Sequence, residues 1–385
     1  MTQAIYIHEF AIACALGANA EDVGRNLLSP TPPTVRGAVK LGDGRAVPAG
    51  VLPFELNDES SDSRCNRIAD HCLKSLAPAI AREIETVGPK RIAVVVGTST
   101  SGVREVGAAL GSFVESGNWP KTFRASAQEL GDTAAHVAGR VGASGPVYGI
   151  STACTSGAKA LASAARLIQA GFCDVALAGG IDSRCDLTLN GFSALESLSP
   201  EVCNPMSLNR RGINLGEGGA LFLLSRRPSP VRLAGWGESA DAYHISAPDP
   251  EGTGAEAAMR RALLRAGCGT SNIGYLNLHG TATKLNDLME ARAVTRVFGT
   301  DLPCSSTKPL TGHMLGAAGA CEAAFAMMAL RAGRLPAHVW DGEADPEMPP
   351  IRLIARSGEA GNAKRAMSCS YAFGGNNIAL ILETA

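Results

Sequence analysis

The sequence lacks a charge bias, a secretory signal and an apolar run of membrane-spanning length. Lys and Arg total 35 against 36 Asp and Glu, so the net charge of −1 gives no footprint for nucleic acid or an anionic membrane. Residues 1–17 are apolar but have neither a positive start nor a cleavage-site pattern, which favours a first strand over a signal peptide. Apolar runs such as Ile92–Val96 are far too short to span a bilayer, so we expect no membrane insertion.

The cysteines lack any close pairing. All 11 are scattered and none forms a CxxC motif, which argues against a disulfide framework or a zinc ribbon and favours a reducing cytoplasm. What the chain does have is length and apolar content, since 385 residues that are 45% hydrophobic can form one large domain or two packed ones. Strands that alternate with helices, joined by many of the 44 glycines, predict a layered α/β sheet.

The order of elements is predicted from periodicity and turn residues. Ile5–Leu16 is typical of a strand and turn, Ala20–Leu28 of a helix, and residues 29–62 of an irregular excursion. Arg64–Glu85 has helical spacing, and Pro78 is expected to kink or split that helix.

A faint internal repeat divides the chain near residue 230. Val231–Gly237 restarts a strand much as residues 5–17 do, and the Ala-rich helix Gly316–Gly333 matches the Ala-rich stretch that begins at Gly157. We therefore expect two similar halves, 1–230 and 231–385, arranged about a pseudo-twofold core.

One cysteine is distinguished by its place in the chain. Cys154 follows the short apolar run Val147–Ile150 and precedes an Ala-rich segment that ends at Gly171, a pattern typical of a buried strand turning into a helix. The partial positive charge of a helix N-terminus lowers a thiol pKa and favours the nucleophilic thiolate. The alternative is a buried structural cysteine, the usual state of a free cysteine.

Two histidines lie in loops framed by glycine. His279 ends an apolar strand, where parallel sheets place active residues, although a strand-end histidine can also simply bond a backbone carbonyl. His313 lies between Lys308 and Glu322 among Ala and Gly residues. Helix packing explains the small residues of that segment but not the charged ones.

The segment 370–377 contains the pair Gly374-Gly375, which forms either a tight turn or a backbone pocket for an anion. A cysteine nucleophile, histidines and such a donor loop are together typical of acyl transfer. One Cys and two His are also possible zinc ligands, but none of them share a short ligand spacing, so we expect no metal.

Together these segments resemble the β-ketoacyl-acyl carrier protein synthases, the type I and II condensing enzymes of the thiolase superfamily. The resemblance covers nearly the whole chain and is carried by Ser151–Gly157, Leu278–Thr283, Lys308 with Gly312–Gly319, and Phe373–Gly375. It implies a thiolase-like fold, in which two pseudo-repeated α/β halves form a layered α-β-α-β-α core, and it implies no cofactor.

The resemblance also implies a decarboxylative Claisen condensation. Cys154 would take an acyl chain from acyl carrier protein, while His279 and His313 would bind malonyl-acyl carrier protein and promote its decarboxylation. The enolate would then attack the acyl-Cys and give a β-ketoacyl product for fatty acid- or polyene-type biosynthesis. The other implied roles are an oxyanion hole from the backbone N–H groups of Cys154 and Phe373 in a gate loop with Gly374, support of the histidines by Lys308 and Glu322, and pantetheine binding by Thr281 and Thr283.

Single residues distinguish the kinds of condensing enzyme and related proteins that the chain could be. Coenzyme A-primed members carry Asn at the place of His313, so elongation is favoured. The alternative is a non-catalytic chain length factor, which would lack Cys154; a degradative thiolase would need a Cys-x-Gly where Cys369 precedes Ser-Tyr. Unusual residues such as Lys284 and Asn376 suggest a specialised pathway enzyme, for example an aryl polyene-type ketosynthase.

The expected partners are an acidic carrier protein and a second subunit. Because the chain is nearly neutral, docking requires a local basic rim, and the family pattern places it at Arg64, Arg67, Arg124 and Arg210. The family builds its acyl tunnel across a subunit interface, so we expect a dimer, either with an identical chain or with a cysteine-less, chain length factor-like relative.

Overall fold

The computed structural model describes residues 4–56, 63–361 and 363–384. Its strands are β1 Ile5–Ala13, β2 Gly37–Lys40, β3 Ala46–Ala49, β4 Ile92–Gly97, β5 Val147–Ile150, β6 Val175–Asp182, β7 Gly218–Ser225, β8 Val231–Ala240, β9 Tyr275–Asn277, β10 Cys304–Ser305, β11 Arg334–Leu335, β12 Glu359–Ala360, β13 Arg365–Tyr371 and β14 Asn376–Thr384. Its helices are α1 Ala20–Leu27, α2 Arg64–Val87, α3 Val103–Ser116, α4 Asp132–Val141, α5 Ser156–Gln169, α6 Asp186–Ala194, α7 Thr253–Ala266, α8 Lys284–Phe298, α9 Lys308–Thr311 and α10 Ala318–Ala332.

Most of the strands form one 10-stranded sheet in the order β10-β9-β13-β14-β8-β1-β7-β6-β4-β5. The two halves of the chain meet where β1 pairs antiparallel with β8. Outward from that joint the order β8-β14-β13-β9-β10 repeats β1-β7-β6-β4-β5, as the internal repeat predicts. Because both halves share one sheet, their division into domains 1–230 and 231–385 stays a prediction.

Two buried helices, α5 and α10, form the middle layer. They pack against each other and against strands of both halves, while α2 with α4 and α7 with α8 cover the two outer faces. Glycine permits the close approach, because a Cβ at Gly157 would lie 2.8 Å from the carbonyl oxygen of Gly316. The layered α/β fold class is therefore confirmed, and both central helices begin at the same place in the core.

The central helix α10 belongs to an apolar stretch that is longer than the runs noted in the sequence, such as Ile92–Val96. Among the described residues, the stretch Leu315–Ala332 is long and apolar enough to cross a bilayer by length and composition. However, 89% of that stretch is buried inside the protein, as is typical of a core helix. Its apolar character is thus explained by packing between the two halves of the sheet.

Two local predictions need correction. Pro78 does not split α2, which continues through it with Pro78 on the exposed face and Leu76 and Ile80 buried on the other side; a kink there stays a prediction. The strand before Cys154, β5, is not buried: it pairs with β4 at one edge of the sheet, and each of its residues is half-buried. The irregular excursion at 29–62 contains the β2–β3 hairpin, and its residues 57–62 lie outside the described ranges.

Candidate active site

Cys154 lies in the turn between the edge strand β5 and the N-terminus of α5. Ala153, just before it, has φ +52°, a left-handed conformation that a non-glycine residue keeps only when its surroundings hold it. The hydroxyl of Ser156 accepts a hydrogen bond from the backbone N–H of Thr152 at 2.9 Å and closes the turn. Cys154 is buried and its side chain lines an internal cavity.

His313 faces that thiol. Its Nε2 lies 3.0 Å from Cys154 Sγ, and its Nδ1 lies 3.2 Å from the backbone N–H of Leu315. A backbone N–H can only donate, so Nδ1 is the acceptor and the ring proton of neutral His313 lies on Nε2. The imidazole therefore presents an N–H donor to the sulfur and to the cavity.

His279 lies beside His313 in a similar state. The two ring centroids are 5.2 Å apart with an interplanar angle of 84°. The Lys308 ammonium lies 3.3 Å from His279 Nδ1 and also bonds the His279 carbonyl, which directs the ring proton to Nε2. Lys308 in turn forms a buried ion pair with Glu322 at 2.6 Å, so Glu322 acts on the histidine only through the lysine.

Burial sets the protonation states of this cluster. Desolvation lowers the pKa of both His279 and His313 well below the ordinary value, and the Lys308 charge lowers each further. Burial raises the pKa of the Cys154 thiol to about 12, although Lys308 opposes that shift. The pKa of the Cys154 thiol is therefore raised, with desolvation as the main cause, and not lowered as its place at a helix start predicts.

Two buried carboxylates support the loop 279–282 and were missed by the sequence reasoning. Glu290 accepts from the backbone N–H groups of His279 and Gly280, each at 2.7 Å, and burial raises its pKa to about 8. Asp287 accepts from the backbone N–H of Ala282 at 3.2 Å. Two acidic residues three positions apart on α8, directly after the His279 loop, were the available signal.

The cavity has a volume of about 330 Å³ and connects the reactive groups with the surface. Thr281 and Thr283, which the resemblance assigns to pantetheine, both line it, and their hydroxyls lie 3.0 Å apart. Tyr371 also lines it and contacts the edge of the His279 ring, with centroids 5.8 Å apart. The predicted residues around Cys154 and the histidines are thus brought together in one chamber.

Phe373 lies at the turn between β13 and β14. Its side chain is 38% exposed, lines the cavity and lies against Phe192, with ring centroids 5.7 Å apart. Gly374 and Gly375 follow in left-handed conformations, and the Gly374 N–H donates to the carbonyl of Ile245 at 2.8 Å. The Gly374 N–H is therefore engaged within the protein, and the roles of the Cys154 and Phe373 N–H groups as oxyanion donors stay a prediction.

The structure contradicts part of the predicted docking rim. Arg210 is only 5% exposed and its guanidinium pairs with Asp345 at 2.6 Å. Arg64 pairs with the fully buried carboxylate of Glu217 at 2.7 Å, and the Arg67 side chain is mostly buried beside α3. Ion pairing across distant segments thus keeps Arg64 and Arg210 from serving as a surface patch.

Other cations remain at the surface. Arg124 is exposed, as are Arg211 and Lys284, and the last two line the mouth of the cavity. Arg211 directly follows the predicted Arg210 in the chain, and Lys284 was noted in the sequence only as an unusual residue. The exposed basic rim of the cavity is therefore formed by neighbours of the predicted positions.

A metal ion is geometrically possible at this site. The ligand atoms of Cys154, His279 and His313 all lie within 4.8 Å of one another. However, Lys308 places a positive charge 3.3 Å from His279, which opposes binding of a cation. The absence of a metal stays a prediction.

The chain matches known families and proteins over most of its length. Residues 63–229 match the family "Beta-ketoacyl synthase, N-terminal domain" and residues 231–340 match "Beta-ketoacyl synthase, C-terminal domain". The "3-oxoacyl-[acyl-carrier-protein] synthase, mitochondrial" of Arabidopsis thaliana is 38% identical over 271 residues, which cover 65% of this chain and 59% of that protein. The chain thus spans less than two thirds of this curated relative.

Two further similarities extend over more of each chain. Nodulation protein E of Rhizobium sp. (strain N33) is 34% identical over 309 residues, 75% of both chains. A solved ketosynthase (ApeO) in complex with its chain length factor (ApeC), from Xenorhabdus doucetiae, contains a chain that superposes with a TM-score of 0.94 at 41% identity. That superposition covers 100% of this chain and 98% of the other.

Proposed function

We propose that this chain, which belongs to the β-ketoacyl synthase family, condenses a Cys154-bound acyl chain with malonyl-acyl carrier protein and releases carbon dioxide. One observation carries the proposal: Cys154 Sγ lies 3.0 Å from Nε2 of His313, whose ring packs against His279 inside a cavity that reaches the surface. Because the Nδ1 atoms of both rings accept hydrogen bonds, two Nε2–H donors are available beside one nucleophile.

In the first step, Cys154 Sγ forms a bond to the thioester carbonyl carbon and the bond to the pantetheine sulfur breaks. The thiol proton passes to the departing pantetheine thiolate, so the step needs no outside base. His313 cannot serve as that base while its Nε2 carries the proton, but its N–H stabilises charge that develops on sulfur. Backbone N–H groups of Cys154 and Phe373 are the proposed donors to the carbonyl oxygen.

In the second step, the malonyl thioester occupies the place vacated by the first carrier arm. The Nε2–H groups of His279 and His313 donate to its carbonyl oxygen as the carboxylate leaves as carbon dioxide, and they stabilise the enolate. The enolate carbon bonds the acyl carbon, the bond to Cys154 Sγ breaks, and the sulfur takes a proton from solvent. Neutral histidines suit this role because they donate without adding a second and third cation beside Lys308.

The intact nucleophile favours a catalytic subunit over the alternative of a non-catalytic chain length factor. Cys154 lines the cavity together with both histidines, so no member of the reactive set is missing. The similarity to the complex that contains ApeO supports the expectation of a specialised, aryl polyene-type pathway. A cytoplasmic location belongs to the same proposal and fits 11 free cysteines.

The proposed partners are an acyl carrier protein and a second subunit. The cations Arg211 and Lys284 at the cavity mouth suit an acidic carrier whose pantetheine arm must enter there. The edge strand β5 and the exposed apolar residues Leu110, Phe113 and Val114 on α3 suit a subunit interface. The ApeO relative is described in complex with a chain length factor, which supports such a heterodimer, while a homodimer stays the alternative.

Intact-protein mass spectrometry after mixing with a panel of acyl carrier protein thioesters tests the proposal. We expect one acyl group per chain on the peptide that contains Cys154, and loss of that group when malonyl-acyl carrier protein is added. No acylation by any thioester, or acylation elsewhere, would contradict it. Peptide mapping is needed because Cys268 is half-buried and accessible to reagents.

A further inference from the structure

A buried carboxylate outside the predicted catalytic set holds the loops around the site together. Asp182 ends β6 and has no exposed surface. It accepts from the Thr98 hydroxyl at 2.7 Å, from the Ser99 N–H at 2.9 Å and from the Thr100 N–H at 2.8 Å. On its other side it accepts from the Gly316 N–H at 2.6 Å.

The Gly316 bond connects Asp182 to the turn that carries His313. Leu315 lies between them with φ +48°, a strained conformation for a branched side chain, and its N–H is the donor to His313 Nδ1. Asp182 therefore holds Gly316, the residue directly after the strained Leu315. The same turn begins α10, where an anion at the helix N-terminus is electrostatically favourable.

The atoms around Gly316 leave the Leu315–Gly316 turn little room to move. A Cβ at Gly316 would lie 2.6 Å from Asp182 Oδ2 and 2.8 Å from Ser99 Oγ. Among the described residues no cation pairs with Asp182, so its contacts are hydrogen-bond donors from the 98–100 loop and from Gly316. Through its two oxygens the Asp182 carboxylate thus hydrogen-bonds a loop of the first half of the chain and a turn of the second half.

We infer that Asp182 is a positioning residue that holds the Leu315–Gly316 turn so that His313 keeps its proton on Nε2 and directs it at Cys154 and the substrate. This inference rests on the proposed function, because the consequence of misplacing His313 is loss of decarboxylation. Cys154 itself lies in the turn before α5, and Ser156 closes that turn through Thr152, independently of Asp182. The two reactive groups are therefore expected to respond differently when the carboxylate is changed.

The charge of Asp182 acts differently on the two reactive groups, and the alkylation rate of Cys154 makes this difference measurable. Desolvation is the main cause that raises the pKa of the Cys154 thiol, and a smaller cause is the negative charge of Asp182. Its removal favours the thiolate, so alkylation of Cys154 should become equal or faster. A general collapse of the site would instead slow alkylation and decarboxylation together.

The test compares Asp182→Asn with Asp174→Asn, an equally conservative change beside the opposite end of β6, where Asp174 pairs with Arg91 on the surface. Carbon dioxide release from malonyl-acyl carrier protein and the rate of iodoacetamide modification at the Cys154 peptide are measured on each folded protein. For Asp182→Asn we expect carbon dioxide release to fall about 10²-fold, as a misplaced catalytic group does, with alkylation not slowed. Asp174→Asn should match the wild type in both.

A second variant covers failure of Asp182→Asn to fold. Thr98→Val removes one donor to Asp182 and keeps the carboxylate, so we expect about a fivefold loss of carbon dioxide release with alkylation unchanged. The inference would be overturned if folded Asp182→Asn released carbon dioxide at the wild-type rate. If Asp182→Asn does not fold, the same result in Thr98→Val would overturn it. A parallel loss of carbon dioxide release and Cys154 alkylation would also overturn it. A wild-type chain that releases no carbon dioxide would instead contradict the proposed function itself.

Discussion

At the scale of single residues, the two histidines are set up as neutral donors. Burial lowers the pKa of His279 and His313 well below 6.5, and a lowered histidine pKa means that the protonated form appears only at correspondingly lower pH. We therefore expect carbon dioxide release to be independent of pH from about pH 8 down to about pH 6.5. A titration of the single-turnover rate checks this, and a fall with a midpoint near 6.5 would show that at least one ring is solvated.

The buried pair Lys308–Glu322 should be costly to break. Both side chains are almost fully buried and their charged atoms are 2.6 Å apart. Glu322→Gln leaves the ammonium without its anion, so we expect a loss of about 3–5 kcal/mol in the free energy of unfolding.

Urea denaturation measures this loss, and Asp174→Asn is the matched control because its partner Arg91 is solvent-accessible. That control should cost far less, because ion pairs at the surface contribute little to stability. Equal losses in the two variants would show that Lys308 is solvated or finds another anion.

At the scale of elements, the gate loop between β13 and β14 depends on two consecutive glycines. Both have positive φ, +84° at Gly374 and +75° at Gly375, where any side chain costs about 1–3 kcal/mol. A Cβ at Gly374 would meet nothing within 4 Å, whereas one at Gly375 would lie 3.1 Å from Asp241 Cβ.

Gly375→Ala should therefore impair acylation of Cys154 more than Gly374→Ala, because it also displaces the segment that the loop packs against. Stopped-flow acylation rates on the two variants test this order. Equal or reversed effects would mean that backbone strain alone governs the loop.

At the scale of the whole molecule, the exposed cations at the cavity mouth define the proposed docking surface. Arg211→Glu with Lys284→Glu should raise KM for carrier-bound substrate, because rim charges act mainly on association. The defect should shrink with a short pantetheine thioester that needs no docking, and it should weaken at high salt.

The control for this double reversal changes the same number of charges elsewhere, at exposed Lys74 and Lys364. It should leave both substrates unaffected. Equal losses on carrier-bound and free thioesters in the mouth variant would show that Arg211 and Lys284 support the fold or bind pantetheine directly.

The sequence was sufficient for those features that are carried by contiguous motifs. The turn at Cys154, the strand end at His279 and the segment around His313 could each be recognised locally, and the repeat indicated how the sheet halves correspond. It was not sufficient for pairings between distant segments. Arg210 was predicted to be a surface cation because Asp345, its partner in space, lies far along the chain.

The supporting carboxylates were missed for the same physical reason. Asp182 and Glu290 act by accepting hydrogen bonds from backbone N–H groups. Nearly every residue type has such a group, so the sequence does not show which residues donate. The state of Cys154 was misjudged because a helix N-terminus can be inferred from a pattern, whereas the extent of burial around a thiol depends on the assembled core.

In the proposed mechanism Cys154 carries the acyl group while the histidine pair promotes the decarboxylation, and one experiment separates these two roles. Acyl transfer to the protein and carbon dioxide release from malonyl-acyl carrier protein are measured in parallel on Cys154→Gln and His313→Ala. We expect Cys154→Gln to release carbon dioxide with no acyl adduct, and His313→Ala to form the adduct while its carbon dioxide release falls about 10²–10³-fold. An acyl adduct on Cys154→Gln, or undiminished carbon dioxide release by His313→Ala, would contradict the account.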